Sequence, residues 1–589
     1  MESMLSSKRT SSRLKPGLGM SRLSFQPGEG RKVSRCLSLG TYASSEGRRK
    51  ISTMKPRVRQ YVEDRGIGAD GRAKKEGVSA LLGAMSHFAD SLELQVAGCK
   101  IVATRNNLCE GGHELMVASE TVINALKAFS TEENLADWAL AAIGKLLADD
   151  LQPTSGERIA AIGGVGLVMG VTNTFRDKPG IQARACNTMG HLAASEELAR
   201  VVAAAGGVQS SMAAMKEFPE DVAVQKNGCH ALANMAVEES VATDVIAKGG
   251  LSLILSAMAK YADDSELQDS ACRVLGSLAA CDEVCRQVGQ AGCIAAVMDA
   301  MKAHKESVGV QECGCWALVS LSEDYDNCYD LRQAGALDVA LYAMEMFYTG
   351  EALQEYCCRM LANMAAADDF DVNLASEKVV EALLGAMERY TKNLEIQEHA
   401  LFTLGKVILE SDAVVQPVLK NDGVHLVSEA LKAFHTNINV QRGGCRALGA
   451  LAMHEDAKDE IIIGGGLDII LSVIKQEEME ENEVVLMICC NALASLVDTE
   501  DVKVKVKVCE EGGLSRIIHA IQTYPDDPEL CECVCRAISS LAGCNEVIEN
   551  VRAAGAFQQV LVAMEKHPDN PEVQESAVHA LRYAVCFIL

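Results

Sequence analysis

Cysteine and arginine are the residue types whose placement in this 589-residue chain could do chemistry. Cys531, Cys533 and Cys535 alternate along one short stretch, with Cys509 and Cys544 nearby. Thiols that dense could serve zinc, which needs four ligands at tetrahedral corners. Helical geometry works against it: Cys531 and Cys535 share a face while Cys533 points away. Core packing is therefore the expectation, and no metal or other cofactor is assigned. Gly66-Ile67-Gly68-Ala69-Asp70-Gly71 spells the glycine pattern of a dinucleotide turn, but the charged YVEDR before it is no buried strand and no βαβ unit surrounds it. There is no phosphate-binding Gly-x4-Gly-Lys-Ser/Thr, no HExxH and no nucleophile elbow. With no convergent set of reactive groups, the chain reads as a non-enzyme with no catalytic residues.

The arginines belong to a row. Arg273, Trp316, Arg359, Phe402, Arg446, Asn491, Arg536 and His579 follow one another at intervals of 43 to 45 residues, arginine on every second step with a ring or polar group between. Guanidinium groups supply charge-assisted forks and flat rings supply stacking, so the row could grip an extended acidic or aromatic-containing peptide. The competing reading has these arginines snorkelling or pairing with acids such as Asp269 and Glu355, since exposed ion pairs are common and weak.

What positions the row is a repeat. The segment Val224 to Ala236, VQKNGCHALANMA, is rewritten as LQDSACRVLGSLA, VQECGCWALVSLS, LQEYCCRMLANMA and VQRGGCRALGALA. Indexed on its second residue, the pattern falls at Gln95, Ala136, Gln182, Gln225, Gln268, Gln311, Gln354, Gln397, Gln441, Leu486, Cys531 and Gln574, a period of about 43 over twelve copies. Such a period implies an all-α solenoid rather than a set of globular domains. Positions three, four, seven and ten past the index are small or apolar and make one helix face. Nine of the cysteines stand four past the index, where the other copies carry Leu or Val, so they read as small buried hydrophobes. Upstream, a second helix ends on a ring seven residues before the index, often with Met three residues earlier, a packing pair. Before that helix a glycine recurs at Gly163, Gly206, Gly249, Gly292, Gly335, Gly512 and Gly555, suited to a left-handed turn after a short first helix. Val502 to Val508 alternates with lysine like a strand, yet register places it in a first helix, and local structure is expected to deviate there.

The repeat resembles the armadillo family, whose third helix reads roughly VQxxAxxALxNLA, and the resemblance runs from about residue 75 to 589. It implies a right-handed superhelix of about twelve three-helix repeats, with third helices lining a concave groove that holds an elongated segment of a protein partner. Residues 1–74 are then a leader and 75–589 the solenoid. Nuclear-import adaptors of the importin-α type read basic peptides with a Trp five past the index and an Asn four later. Here Trp316 matches the first, and Asn234 and Asn363 match the second, never in one repeat. A scaffold or adaptor is therefore expected, the alternatives being an import-type adaptor or a structural subunit of a cytoskeletal or ciliary assembly.

Charge and length bound the rest. The chain carries −26, although residues 1–60 hold fourteen basic against three acidic side chains. The acidic remainder repels phosphates, so nucleic acid is not expected on the array. The leader, rich in Ser and Arg, cannot bury a core. It could contact acidic surfaces under control of its basic-then-Ser/Thr sites, or be an organelle presequence. No apolar run has membrane-spanning length, and so many free thiols without a secretory signal suggest a reducing, cytoplasmic home. The first copy, with Arg105, reads as a cap. The terminal CFIL, ending at Leu589, could meet a partner or a second copy.

Overall fold

Burial of one apolar face per helix drives the architecture. The computed structural model describes residues 76–104, 112–150, 154–367, 370–476 and 482–585, helical throughout with no strand among them. The leader, the GxGxxG segment, Arg105 and the terminal CFIL lie outside the described residues. The chain divides into two compact units, Met1–Glu238 and Glu239–Leu589.

In the first unit, one repeat runs Glu196–Ala204, Gly207–Glu217 and Val222–Met235. In the second, another runs Val502–Glu510, Gly513–Thr523 and Pro528–Ala542. Each is a short first helix, a tight turn and two longer helices, as the spacing requires. The turn residues Gly163, Gly206, Gly249, Gly292, Gly335, Gly512 and Gly555 all hold positive φ, and Gly465 joins them, a conformation that costs a side-chain-bearing residue roughly 1–2 kcal/mol. Third helices begin on a cap four residues before the index. Asp221 accepts from the backbone N–H groups of Ala223 and Val224 at 3.0 Å, and Asp264, Asn393, Asn437, Asn482 and Asp527 cap their helices likewise. Within each unit, consecutive third helices pack side by side.

The core is the predicted one. Leu232, Leu275, Leu318, Leu361, Leu404, Leu448 and Leu493, seven past the index, are fully buried. Glycines three past the index admit methionines from the second helix: a Cβ on Gly228 or Gly314 would stand 2.5 Å from Met215 Cγ or Met301 Cγ. The nine cysteines four past the index are buried without disulfides.

The expected deviation at Val502 to Val508 is overturned. The segment is an unbroken α-helix whose Val504 and Val508, one turn apart, are its buried pair. Burial of an i,i+4 face overrides the alternating residue types. At Gly292 two helices meet in a kink, the same left-handed glycine turn as in the other repeats. Irregularity occurs elsewhere. Asp422 takes positive φ where the other repeats use glycine. One repeat reduces its first helix to the 3₁₀ turn Val372–Leu374, and Ser376 enters Glu377–Arg389 in extended conformation.

Candidate functional site

The index glutamine explains why the third helix stays where it is. Gln311 is buried, and its Nε2 donates to the carbonyl oxygens of Met301 at 2.8 Å and His304 at 3.2 Å, the last turn of the second helix. Gln95, Gln182, Gln225, Gln268, Gln354, Gln397, Gln441 and Gln574 donate to the equivalent pairs of carbonyls. These carbonyls have no partner within their own helix, so one side chain closes the helix and locks the next against it. The rings seven before the index add ties between repeats: His304 Nε2 lies 2.7 Å from the Ala262 carbonyl oxygen, and Tyr390 donates to that of Tyr348 at 3.1 Å.

On this frame the row five past the index lies off the buried face. Arg273, Trp316, Arg359, Phe402, Arg446, Asn491 and Arg536 are each half-buried, and His579 is exposed. Several of these side chains lean back over the preceding third helix. Trp316 covers Gly276 and the Arg446 stem covers Gly405, positions where a Cβ would stand 2.8 Å and 3.2 Å from them. In the first unit His230 lies over Gly190 in the same way.

Most of the row has partners. Arg273 reaches Asp269 one turn earlier at 3.5 Å. Burial pulls its guanidinium down, but Cys313 and Asp269 outweigh this and hold it above its usual range. Arg359 pairs with Glu323, after the preceding third helix, rather than with Glu355. Arg536 donates to Asn491 Oδ1 and lies 3.9 Å from Glu532. Arg446 stands 6.0 Å from the Phe402 ring centroid, and burial together with Arg442 holds it below its usual range. The two asparagines nine past the index turn to their neighbours: Asn234 Nδ2 donates to the Gly190 carbonyl oxygen at 2.8 Å, and Asn363 Nδ2 to Ser322 Oγ at 2.9 Å. Their amide donors tie adjacent repeats together.

Sequence reasoning passed over the row one past the index, which lies one turn before the arginine row and shares its face. Glu312, Glu355 and Glu398 recur there, and burial raises all three carboxyls above their usual range. In the first unit the same face carries Trp138 between Lys100 Nζ at 4.9 Å and Arg184 Cζ at 5.1 Å, with Arg184 paired to Asp137 at 2.8 Å. The signal was available, because i,i+4 spacing projects both rows to one side. The cysteine candidates Cys531, Cys533 and Cys535 are all buried, and burial pushes Cys531 up to about 11 and Cys535 to about 12. Protonated, buried thiols of this kind are poor nucleophiles and poor ligands.

Stacked three-helix repeats with glycine turns, index glutamines and a polar face along the third helices define an armadillo solenoid. The chain belongs to the GAC ARM domain family, whose model matches residues 165–511. Armadillo repeat-containing protein 6 of Homo sapiens is 28% identical over 131 residues, and that of Pongo abelii 27% over 132 residues. The match covers 21% of this chain and about a quarter, 26%, of those relatives. Among solved structures, one from a study of a phosphorylation switch in the cadherin–β-catenin interaction superposes with TM-score 0.64 at 15% identity, covering 90% of this chain and 98% of that one. An engineered protein superposes with TM-score 0.54 at 21% identity, covering 71% of this chain and 98% of its own. Both likenesses concern the fold. Among the described residues no single helix is long and apolar enough to cross a membrane.

Proposed function

We propose that the protein is a non-catalytic scaffold that holds an extended segment of a protein partner along its third-helix face. The observation that carries this is the row from Arg273 to Arg536: half-buried guanidinium groups alternating with Trp316, Phe402 and Asn491 on adjacent, stacked helices. Stacked third helices offer a linear partner one contact per repeat, and repeated weak contacts along one chain sum to useful affinity. The similar solved structure comes from work on the interaction between cadherin and β-catenin, and a protein partner for this chain is consistent with that. An import-type adaptor finds less support, because the Asn234 and Asn363 amides are engaged with neighbouring repeats. The buried thiols, which form no disulfide among the described residues, favour a reducing compartment such as the cytoplasm.

The test reverses the charge of the row. Proximity labelling with Arg273→Glu/Arg359→Glu/Arg446→Glu/Arg536→Glu, checked by circular dichroism for retained helix, should lose specific partners that the wild type labels. Asn234→Ala and Asn363→Ala, whose amides are turned to neighbouring repeats, should leave them. An unchanged partner list for the charge-reversed protein would remove the proposal.

A further inference from the structure

The position one past the index is acidic in most repeats of the second unit: Asp269, Glu312, Glu355, Glu398, Glu532 and Glu575. Lying one turn before the arginine row, it places a carboxylate beside the guanidinium, as in Asp269–Arg273 at 3.5 Å and Glu532–Arg536 at 3.9 Å. The repeat indexed on Gln441 reverses this. It carries Arg442, one turn before Arg446, on the third helix Ile438–Leu451.

Two half-buried guanidinium groups therefore share one face with no carboxylate between them. Neither makes an ion pair among the described residues, and Arg442 Nε is a buried donor without an acceptor. Glu398 of the preceding repeat acts on Arg442 at a distance, while its own Oε1 accepts from Asn439 at 2.9 Å. On the following third helix, Asn491 Oδ1 is taken by Arg536. The Phe402 ring centroid stands 6.0 Å from the Arg446 guanidinium carbon. Like charges at i,i+4 repel, and burial strengthens the repulsion. In a chain of net charge −26, two half-buried cations with no ion-paired carboxylate among the described residues are an anomaly that a neutral residue at either position would relieve.

We infer that Arg442 and Arg446 form a station for a doubly negative group on the partner segment, either a phosphorylated side chain or two adjacent carboxylates. Two planar forks one turn apart match a dianion in charge and in hydrogen-bond donors. The Phe402 ring beside Arg446 accepts the cation on its face and takes up none of its N–H donors in conventional hydrogen bonds. The inference rests on the groove reading above and locates the strongest electrostatic contact within it.

The experiment follows thermal unfolding of the full-length protein in chloride buffers of matched ionic strength. Inorganic phosphate, N-acetyl-phosphoserine amide and an Asp-Asp dipeptide amide are added separately. At least one should raise the wild-type Tm by about 2 °C or more at tens of millimolar, and the dianion with the larger effect names the source. Arg442→Gln/Arg446→Gln should unfold at a higher temperature than wild type without ligand and lose the response. Arg442→Lys/Arg446→Lys keeps the charge but not the forks, and should retain part of it. Absence of a dianion-specific shift in the wild type, or an equal shift in the Gln variant, overturns the station. The two readings fail separately. A dianion response with an unchanged partner list in the charge-reversed protein would keep the station and remove the extended segment, while the converse would do the opposite.

Discussion

Gln311 shows how much of this fold hangs on single side chains. Its amide satisfies two carbonyl groups, of Met301 and His304, that the second helix cannot satisfy itself. Gln311→Leu keeps the volume and removes the donor, leaving the Met301 acceptor alone inside a packed junction, while His304 keeps the Ser307 N–H at 3.0 Å. The expected cost is about 1–3 kcal/mol, read as faster amide exchange in Ile294–Ala303 and Val308–Leu321. Unchanged exchange would mean that packing alone holds the junction. The glutamine was legible as the index of the repeat, because it recurs, but its purpose was not. Its partners lie seven and ten residues upstream, and no periodicity of one helix points to a carbonyl at the end of another. The same limit applies to Asn234 and Asn363. Sequence spacing put them on the inner face, and only the stacking of helices shows their amides bonded across the repeat boundary. Arg359 is a third case: Glu355, one turn away, was the natural partner, and Glu323 from the neighbouring repeat took its place.

Helices meet closely only where one of them gives up its side chain. Gly314 faces Met301, whose Cγ and Sδ would each be 2.5 Å from an added Cβ. Gly314→Ala should therefore cost about 1–3 kcal/mol by overpacking. Met301→Ala opens a cavity and should cost about 2–5 kcal/mol alone. Combined, the two should cost less than their sum, since the new methyl enters the space the methionine leaves. Amide exchange in Val308–Leu321 measures each variant, and strict additivity would show that the glycine is not there to admit the methionine. At this scale the sequence was most informative. The small residue three past the index, the methionine and the ring that closes the second helix all recur with the period, so each announced its role. Substitutes were harder to see. Asp422 enters the left-handed turn because its short polar side chain tolerates positive φ. Nothing in the apolar pattern separates it from an ordinary surface aspartate.

At the scale of the whole molecule, membership of the GAC ARM domain family and a repeat-by-repeat core imply that stability is local. Each repeat rests on its neighbours, and little energy passes directly to distant ones. The face that could bind was legible as a row of residue types. The competition for its arginines was not, because that depends on which acid of an adjacent repeat comes within reach. Leu318 tests the consequence. It is fully buried in the last turn of Val308–Leu321, and Leu318→Asp places an unpaired carboxylate there at a cost of several kcal/mol, about 3 or more. In a globular domain that would unfold everything together. Here protection from amide exchange should collapse in Val308–Leu321 and in the third helices packed on it, Ser265–Ala279 and Glu351–Ala365. Protection should persist in Glu196–Ala204, Gly207–Glu217 and Val222–Met235 of the first unit. Simultaneous loss throughout would mean that the repeats fold as one cooperative body. A partner lying along the third-helix face would then sense every part of the array at once, and binding could not be divided into repeat-sized contributions.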